Sequence, residues 1–322
     1  MTSTDTTTAP QAAPPAHGPG VSVLIVNWNG GALLSRCVTA ACATGAEVVV
    51  VDNASTDGSA NAAAAAAPAA RLLREPQNRG FAGGVNLAAR HASHEWLLLL
   101  NPDTRIDAAA VIALRGALEA RPGAAAAGAC LVDDSGVPQR GFAVRRFPTL
   151  ASLATDLLLV DDLWPGNPAR RRYLADDVPL DGVTPIEVDQ PAAACLMVRR
   201  EVFEALGGLD ERFHPAWFED VDFCRRVRAA GHRILFVPSA RVAHAGGVSL
   251  RSLDASAFAV AWYRNMRRYV ARHHGRVAAA LVTILIALGM GLRVAAASVG
   301  GMPARRKAAL AVLLDLVGVS AT

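Results

Sequence analysis

From Val21 onward, short apolar runs alternate with longer Ala-rich stretches, a rhythm that predicts buried parallel strands separated by helices. The runs are Val21 to Val26, Val48 to Val51, Trp96 to Leu100 and a weaker one from Ala126 to Leu131; Asn or Asp follows each of the first three directly. Helices are expected at Gly31 to Ala43, Ser59 to Ala67, Gly83 to Ala92 and Ala108 to Ala120, with Pro68 stopping the second and Pro122-Gly123 following the fourth. Ligands of open α/β sheets bind beyond the carboxyl ends of the strands, so Asn27, Asp52, Asn101 and Asp103 are expected to converge on one crevice.

The stretch from Asp133 to Asp189 has no sustained period and reads as loops with one short helix around Leu150 to Leu159. Regular pattern returns with a strand at Ala194 to Val198, helices at Glu201 to Leu206 and Asp220 to Ala230, and a strand at Ile234 to Val237. From Ala255 the chain reads as helix. Arg264, Arg268, Arg272 and Arg276 recur every four residues, with Trp262, Met266 and Tyr269 on another face, as in a basic amphipathic helix. The uncharged Val277 to Leu292 that follows is slightly short of the roughly 20 residues of a spanning helix. It either spans with Arg293 snorkelling, lies in the interface as half of a hairpin with Ala308 to Val319, or packs on the protein's own core. Four regions result: a disordered tail 1–20, a strand-and-helix half 21–132, a second half 133–254 that begins aperiodically, and a helical tail 255–322.

Charge sharpens this division. The net charge is +4, yet residues 255–322 carry nine Lys or Arg against one acid, which leaves residues 1–254 at −4. An acidic body with a basic, apolar tail points to an anionic membrane surface rather than nucleic acid. The five cysteines are scattered with no CxxC pair, which argues against a disulfide framework or a thiolate zinc site and for a reducing compartment. The first twenty residues lack the basic start and apolar stretch of a secretory signal.

Four clusters carry candidate chemistry. In Val51 to Ser59 (VDNASTDGS), Asp52 sits at a strand tip where it can accept from a base NH, and the turn near Ser55 can present backbone NH groups; an ordinary Asp-capped turn would look the same. Asn78 to Asn86 (NRGFAGGVN) has glycines, but it does not follow the first strand with dinucleotide-fingerprint spacing. Those glycines serve close approach to a nucleotide or helix packing. In Leu97 to Thr104 (LLLLNPDT) a buried strand delivers Asp103 to a strand-end loop, which suits a divalent cation bridging phosphates. The cluster from Pro215 to Ser249 opens on Trp217-Phe218-Glu219-Asp220, a carboxylate pair in an apolar setting that raises basicity. Within it, His244 can complete a metal site begun at Asp103.

In this order, over Val21 to Ser249, the clusters resemble the inverting glycosyltransferases of family 2 with the GT-A fold, especially the rhamnosyltransferase-like branch. The resemblance implies an α/β fold with a mostly parallel central sheet, a nucleotide-sugar-binding half at 21–132, an acceptor-binding and catalytic half at 133–254, and a C-terminal membrane-associating helical tail. It implies that Asp52 contacts the base, that Asp103 ends a degenerate DxD motif and binds Mn²⁺ or Mg²⁺ with His244, and that Asp220, beside Glu219, is the catalytic base. The expected nucleotide-sugar set is Asn27, Asp52, Asn53, Ser55, Asn78, Gly80, Phe81, Asn86 and Asn101. The expected donor is a nucleotide-diphosphate sugar, dTDP-rhamnose favoured. A lipid-linked glycan would be the acceptor, at the cytoplasmic face of the cell membrane. Two departures stand out: Asn101-Pro102-Asp103 leaves one carboxylate in the DxD position, and Asp189-Gln190-Pro191-Ala192-Ala193-Ala194 replaces the Asp-Trp-x-x-Gly-Ala frequent in relatives. The competing readings are a catalytically inactive membrane-bound nucleotide-sugar scaffold and a sugar-nucleotide pyrophosphorylase.

Overall fold

The computed structural model describes residues 18–246 and 254–319. Most of the N-terminal segment read as a disordered tail, and Gly247 to Ser249 of the fourth cluster, lie outside the described residues. Apolar runs with β-branched residues form the strands β1 (Gly18–Asn27), β2 (Glu47–Asn53) and β4 (His94–Leu100), with a half-exposed β3 (Arg71–Glu75) beside β2. The Ala-rich stretches between them form α1 (Gly31–Ala43), α2 (Ser59–Ala66) and α3 (Gly80–His91). Strands β1 to β4 are mutually parallel, in the order β3-β2-β1-β4. Asn27 pairs in register with Asp52, so both strands end at one level.

The sheet continues through β10 (Cys195–Arg199), antiparallel to its neighbours, to β6 (Ala124–Val132) and β11 (Arg233–His244), with the short β5 (Thr104–Arg105) at the edge. Helix α4 (Ala108–Glu119), capped by Asp107 accepting from Ala110 N, connects β5 to β6. The pattern predicted β11 only as far as Val237. Pro238 cannot donate to a ladder, but a register shift between Val237 and Arg241 absorbs it and pairing resumes as far as Ala243. The extension places His244 opposite Thr104.

The aperiodic stretch contains the short helix expected there, α5 (Leu150–Leu157), and more structure than its pattern predicts: β7 (Val144–Arg145), α6 (Val160–Leu163), α7 (Pro168–Tyr173) and β8 (Ile186–Glu187), with β9 (Gln190–Pro191) directly after it. Strands β7 and β9 form a two-stranded ribbon of their own, with Arg145 opposite Gln190. After β10 come α8 (Arg200–Ala205) and α9 (Glu219–Ala229).

The tail forms α10 (Ala255–Val299), broken at Gly275, whose φ of 87° and ψ of 170° are not helical, and α11 (Pro303–Leu316). Its first segment is part of the body. Met266, Tyr269 and Val270 are buried in a second core with Phe213, Phe218, Val221, Leu153 and Leu157. Three of the four regularly spaced arginines are spent inside the protein: Arg264 pairs with Asp315, Arg268 donates to the Arg212 carbonyl, and Arg272 pairs with Asp210 and Asp222. That repeat is therefore not a free basic face. The second segment is apolar on two sides. Val282, Ile286 and Met290 are buried, whereas Val277, Leu281, Ile284, Leu288 and Leu292 are exposed. Arg293 does not snorkel; it donates to the carbonyls of Leu157 and Asp156 at the end of α5.

Candidate functional site

The strand ends, the β7/β9 ribbon, the start of α9 and the first tail segment enclose a cavity of about 490 Å³. Its back wall is organised by Asn27, which is fully buried. The Asn27 amide donates to Asp52 Oδ1, Ser55 Oγ and Ser59 Oγ, each at 2.9 Å, and its Oδ1 accepts from Gly30 N at 3.1 Å. Asn27 is thus saturated within the protein, and it fixes the carboxylate of Asp52 at the tip of β2. The neighbouring Asn53 lines the cavity and donates to Gly80 O at 3.0 Å. Gly80 has a φ of 74°, and a Cβ there would stand 2.8 Å from Pro215 O; Phe81 N donates to the same carbonyl at 2.7 Å. The second cluster is thereby stitched to the fourth, and Gly80 acts by close packing.

One wall carries Asp103 and His244. β5 and β11 pair there, Ala245 N donates to Asp103 O at 3.0 Å, and His244 Nε2 stands 3.5 Å from Asp103 Oδ1. The tautomer follows from the hydrogen bonds. Gln139 Nε2 donates to His244 O at 2.7 Å, so Gln139 Oε1, 2.8 Å from His244 Nδ1, must accept, and Nδ1 carries the proton. Nε2 then presents a bare lone pair beside the carboxylate. Burial holds the His244 pKa below its ordinary value, with the Asp103 charge opposing, which favours the neutral ring. Phe142 stacks on it at 4.9 Å. A neutral imidazole tautomerised by an outer partner, next to a carboxylate, is a donor set that fits a divalent cation. Among the described residues no cluster of three or more His, Cys, Asp or Glu accompanies it, so a cation held there would need substrate oxygens or water to complete its coordination.

The opposite wall is dry. Trp217 and Phe218, ahead of α9, both adopt left-handed backbone, with φ of 77° and 72°. Each such residue costs about 1 to 3 kcal/mol, offset here by aromatic packing: Trp217 against Phe258 and Trp262, Phe218 against Trp262 and Tyr269. This turn places Glu219 and Asp220 on the cavity. Burial raises the Asp220 pKa, opposed by hydrogen bonds, chiefly from Val221 N at 2.8 Å, and by the charge of Arg145. Glu219 is raised well above the ordinary carboxylate range by burial and then by Asp220, and its Oε2 has no hydrogen-bond partner among the described residues. Asp222, one turn edge further, is fully buried and holds Arg226, Arg272 and His273 at 2.8, 3.2 and 2.7 Å, which locks the tail to α9.

Of the residues expected from sequence, Asn53, Asn78, Phe81, Asn101, Asp103, Glu219, Asp220 and His244 line this cavity. Asn27, Asp52, Ser55, Gly80 and Asn86 do not. Asn86 belongs elsewhere: its amide donates to Leu209 O and Glu211 Oε1, and its Oδ1 accepts from Leu209 N, all at 2.9 Å. That placement corrects the reading of Asn86 as a nucleotide contact, since its polar atoms are consumed in packing. Sequence reasoning passed over Gln139, Arg145, Gln190 and Trp262, which also line the cavity. Gln190 carried one signal, as the polar residue standing where relatives often have Trp; it is buried and its Nε2 lies 3.4 Å from Asp220 Oδ2.

Comparison with known proteins bears on the family and the fold. Residues 22–179 match the model of glycosyl transferase family 2. The chain is 30% identical over 238 residues, 69% of its length and 75% of the relative's, to an N-acetylglucosaminyl-diphospho-decaprenol L-rhamnosyltransferase of Mycobacterium tuberculosis. It is 26% identical to a rhamnosyltransferase of Escherichia coli, over 60% of this chain and 70% of that one. A mannosyltransferase of Pyrobaculum calidifontis, solved with GDP-mannose and Mn²⁺, superposes with a TM-score of 0.52 at 20% identity, covering 95% of this chain and 84% of that one; the two share the GT-A fold.

Proposed function

The chain belongs to the family 2 glycosyltransferases, in their rhamnosyltransferase-like branch, and from that premise we propose that it moves rhamnose from dTDP-rhamnose to a hydroxyl of a lipid-linked glycan, inverting the anomeric carbon. Membership in a glycosyltransferase family displaces the pyrophosphorylase reading. The observation that carries the proposal is a single cavity with a cation-ready pair, Asp103 and His244, on one wall and a dry carboxylate, Asp220, on the other. The rhamnosyl donor and a diphospho-prenyl-linked acceptor in cell-envelope glycan synthesis are the reading supported by the names of the two relatives.

The donor lies across the strand ends, with its base toward Asn53 at the tip of β2 and its diphosphate toward Asn101 and Asp103. Asp103 and His244 would hold Mn²⁺ or Mg²⁺, which supplies neutralisation of charge on the diphosphate. Asp220 takes the proton of the acceptor hydroxyl as its oxygen bonds to the anomeric carbon; the bond to the diphosphate breaks on the opposite face and its electron pair leaves with that group. Burial strengthens Asp220 as a base. Trp217, Phe218 and Trp262 keep water from its side of the cavity, which favours transfer over hydrolysis.

The bare face of the apolar tail segment, Val277 to Leu292, rests in the cytoplasmic leaflet. Its other face is docked on α5 and α11, so it lies along the membrane rather than through it. Arg276, Arg305, Arg306 and Lys307, which have no acidic partner within 4 Å among the described residues, add attraction to anionic lipid. Apolar burial resists salt, so full-length protein should leave membranes in detergent and not in high salt. Recovery in the soluble fraction at low salt without detergent overturns this placement.

The central test incubates purified protein with Mn²⁺, a GlcNAc diphosphate bearing a short prenyl chain, and dTDP-rhamnose, UDP-GlcNAc or GDP-mannose in turn. Rhamnose transfer is expected. Nucleotide binding without transfer or hydrolysis of any donor supports the inactive scaffold instead.

A further inference from the structure

Among the described residues the cavity is lined by three carboxyl groups, those of Asp103, Glu219 and Asp220, and one arginine, Arg145, on the β7/β9 ribbon opposite Gln190. Its guanidinium is pre-set. Nε donates to Gly141 O at 2.6 Å, and the group sits over the rings of Phe142 and Tyr173, 5.7 and 5.8 Å from their centroids. Neither terminal nitrogen has a hydrogen-bond or acidic partner among the described residues, whereas Arg140, Arg146 and Arg170 of the surrounding segment reach carbonyls or carboxylates with theirs. A half-buried guanidinium that is clamped by its faces and inner nitrogen, with its outer fork unused, is shaped to receive a planar pair of acceptor oxygens. The fork faces a cavity that must accept diphosphate beside these carboxyl groups.

We infer that Arg145 is a substrate-binding residue whose terminal nitrogens hold phosphate oxygens in this cavity. The inference rests on the transferase reading above. Two sources offer this chemistry: the donor diphosphate and the diphosphate of a lipid-linked acceptor. Phe142, which stacks on His244, places Arg145 beside the donor side; Gln190, opposite Arg145 on the ribbon and 3.4 Å from Asp220 Oδ2, places it beside the acceptor side as well.

The test uses full-length wild type, Arg145→Gln and Arg145→Lys, with melting temperatures confirming that each folds. The donor arm is calorimetric titration of dTDP and UDP with Mn²⁺. The acceptor arm compares KM for a GlcNAc diphosphate carrying a short prenyl chain with KM for its phosphate-free octyl glycoside. Arg145→Gln is expected to weaken one arm about ten- to a hundredfold, the cost of losing a hydrogen bond to a charged group. Arg145→Lys, with charge but no fork, should fall between. Weaker nucleotide binding assigns the donor diphosphate. A raised KM confined to the diphosphate acceptor assigns the acceptor's. If both arms stay within twofold of wild type, or only the acid limb of the pH profile moves, Arg145 merely tunes Asp220 and the inference is wrong. Failure of wild type to bind either nucleotide overturns the transferase reading itself, and the inference with it.

Discussion

The two acidic walls of the cavity use the same functional group in opposite ways. At Asp103 the carboxylate faces a neutral imidazole whose proton is committed to Gln139, so two bare donors stand together in a polar frame. At Asp220 and Glu219 the carboxyls sit behind aromatic rings, and burial pushes both toward protonation. In the proposed reaction the first environment suits a carboxylate that holds a cation and the second one that takes a proton. Residue type alone does not separate these roles; the neighbours do.

The largest effect expected from breaking this contrast is at the dry wall. Asp220→Asn should lower kcat by at least about 10²-fold while nucleotide affinity is kept, the lower edge of what a general base contributes. Steady-state rates together with nucleotide titration check both halves. At the polar wall, Asp103→Ala should weaken nucleotide-diphosphate binding at least about tenfold with Mn²⁺ and have little effect in EDTA. Equal losses in both conditions would mark a structural role. Gln139→Leu sharpens the comparison, because it leaves both donor atoms in place and removes only the group that sets the His244 tautomer. A loss of metal-dependent affinity of up to about tenfold is expected, read by the same titration.

The sequence made the carboxylates legible before it made their surroundings so. Helix α1 runs over the residues predicted, Gly31–Ala43, because its apolar spacing is regular and Gly30 precedes it. Asp103, His244, Glu219 and Asp220 were legible because strand-end and helix-start positions expose side chains to a common crevice. β3 was missed: Arg71–Glu75 is a half-exposed edge strand with charges at both ends, which blunts its pattern. Gln139, Arg145 and Gln190 lie in or beside the aperiodic stretch, and their roles come from pairings such as Arg145 with Gln190 that no local period announces. The tail shows the converse. Its arginine repeat looked like a lipid-facing stripe, yet buried Asp222 draws Arg272 and His273 inward, and Asn265, fully buried, donates to Ala216 O at 2.8 Å behind the Trp217 turn. The first tail segment therefore builds the dry wall, and its removal would expose Phe213, Phe218 and Val221.

The smallest predicted effect concerns Glu219. Its folded-state pKa is raised by burial, so stability falls as pH rises from the ordinary Glu value of about 4.3 toward the folded value. Glu219→Gln removes that dependence, and its melting temperature should exceed wild type by about 2 to 4 °C at pH 8, with the gap closing near pH 4. A lower melting temperature at pH 8 would mean that the charged carboxylate is stabilised by a group this geometry lacks.

The central claim is that Asp220 drives a single displacement at the anomeric carbon of a nucleotide-diphosphate sugar. The configuration of that carbon in the transferred product, read by NMR coupling constants after reaction with dTDP-rhamnose, tests it most directly. Inversion relative to the donor is predicted; retention would contradict the single displacement and the role assigned to Asp220.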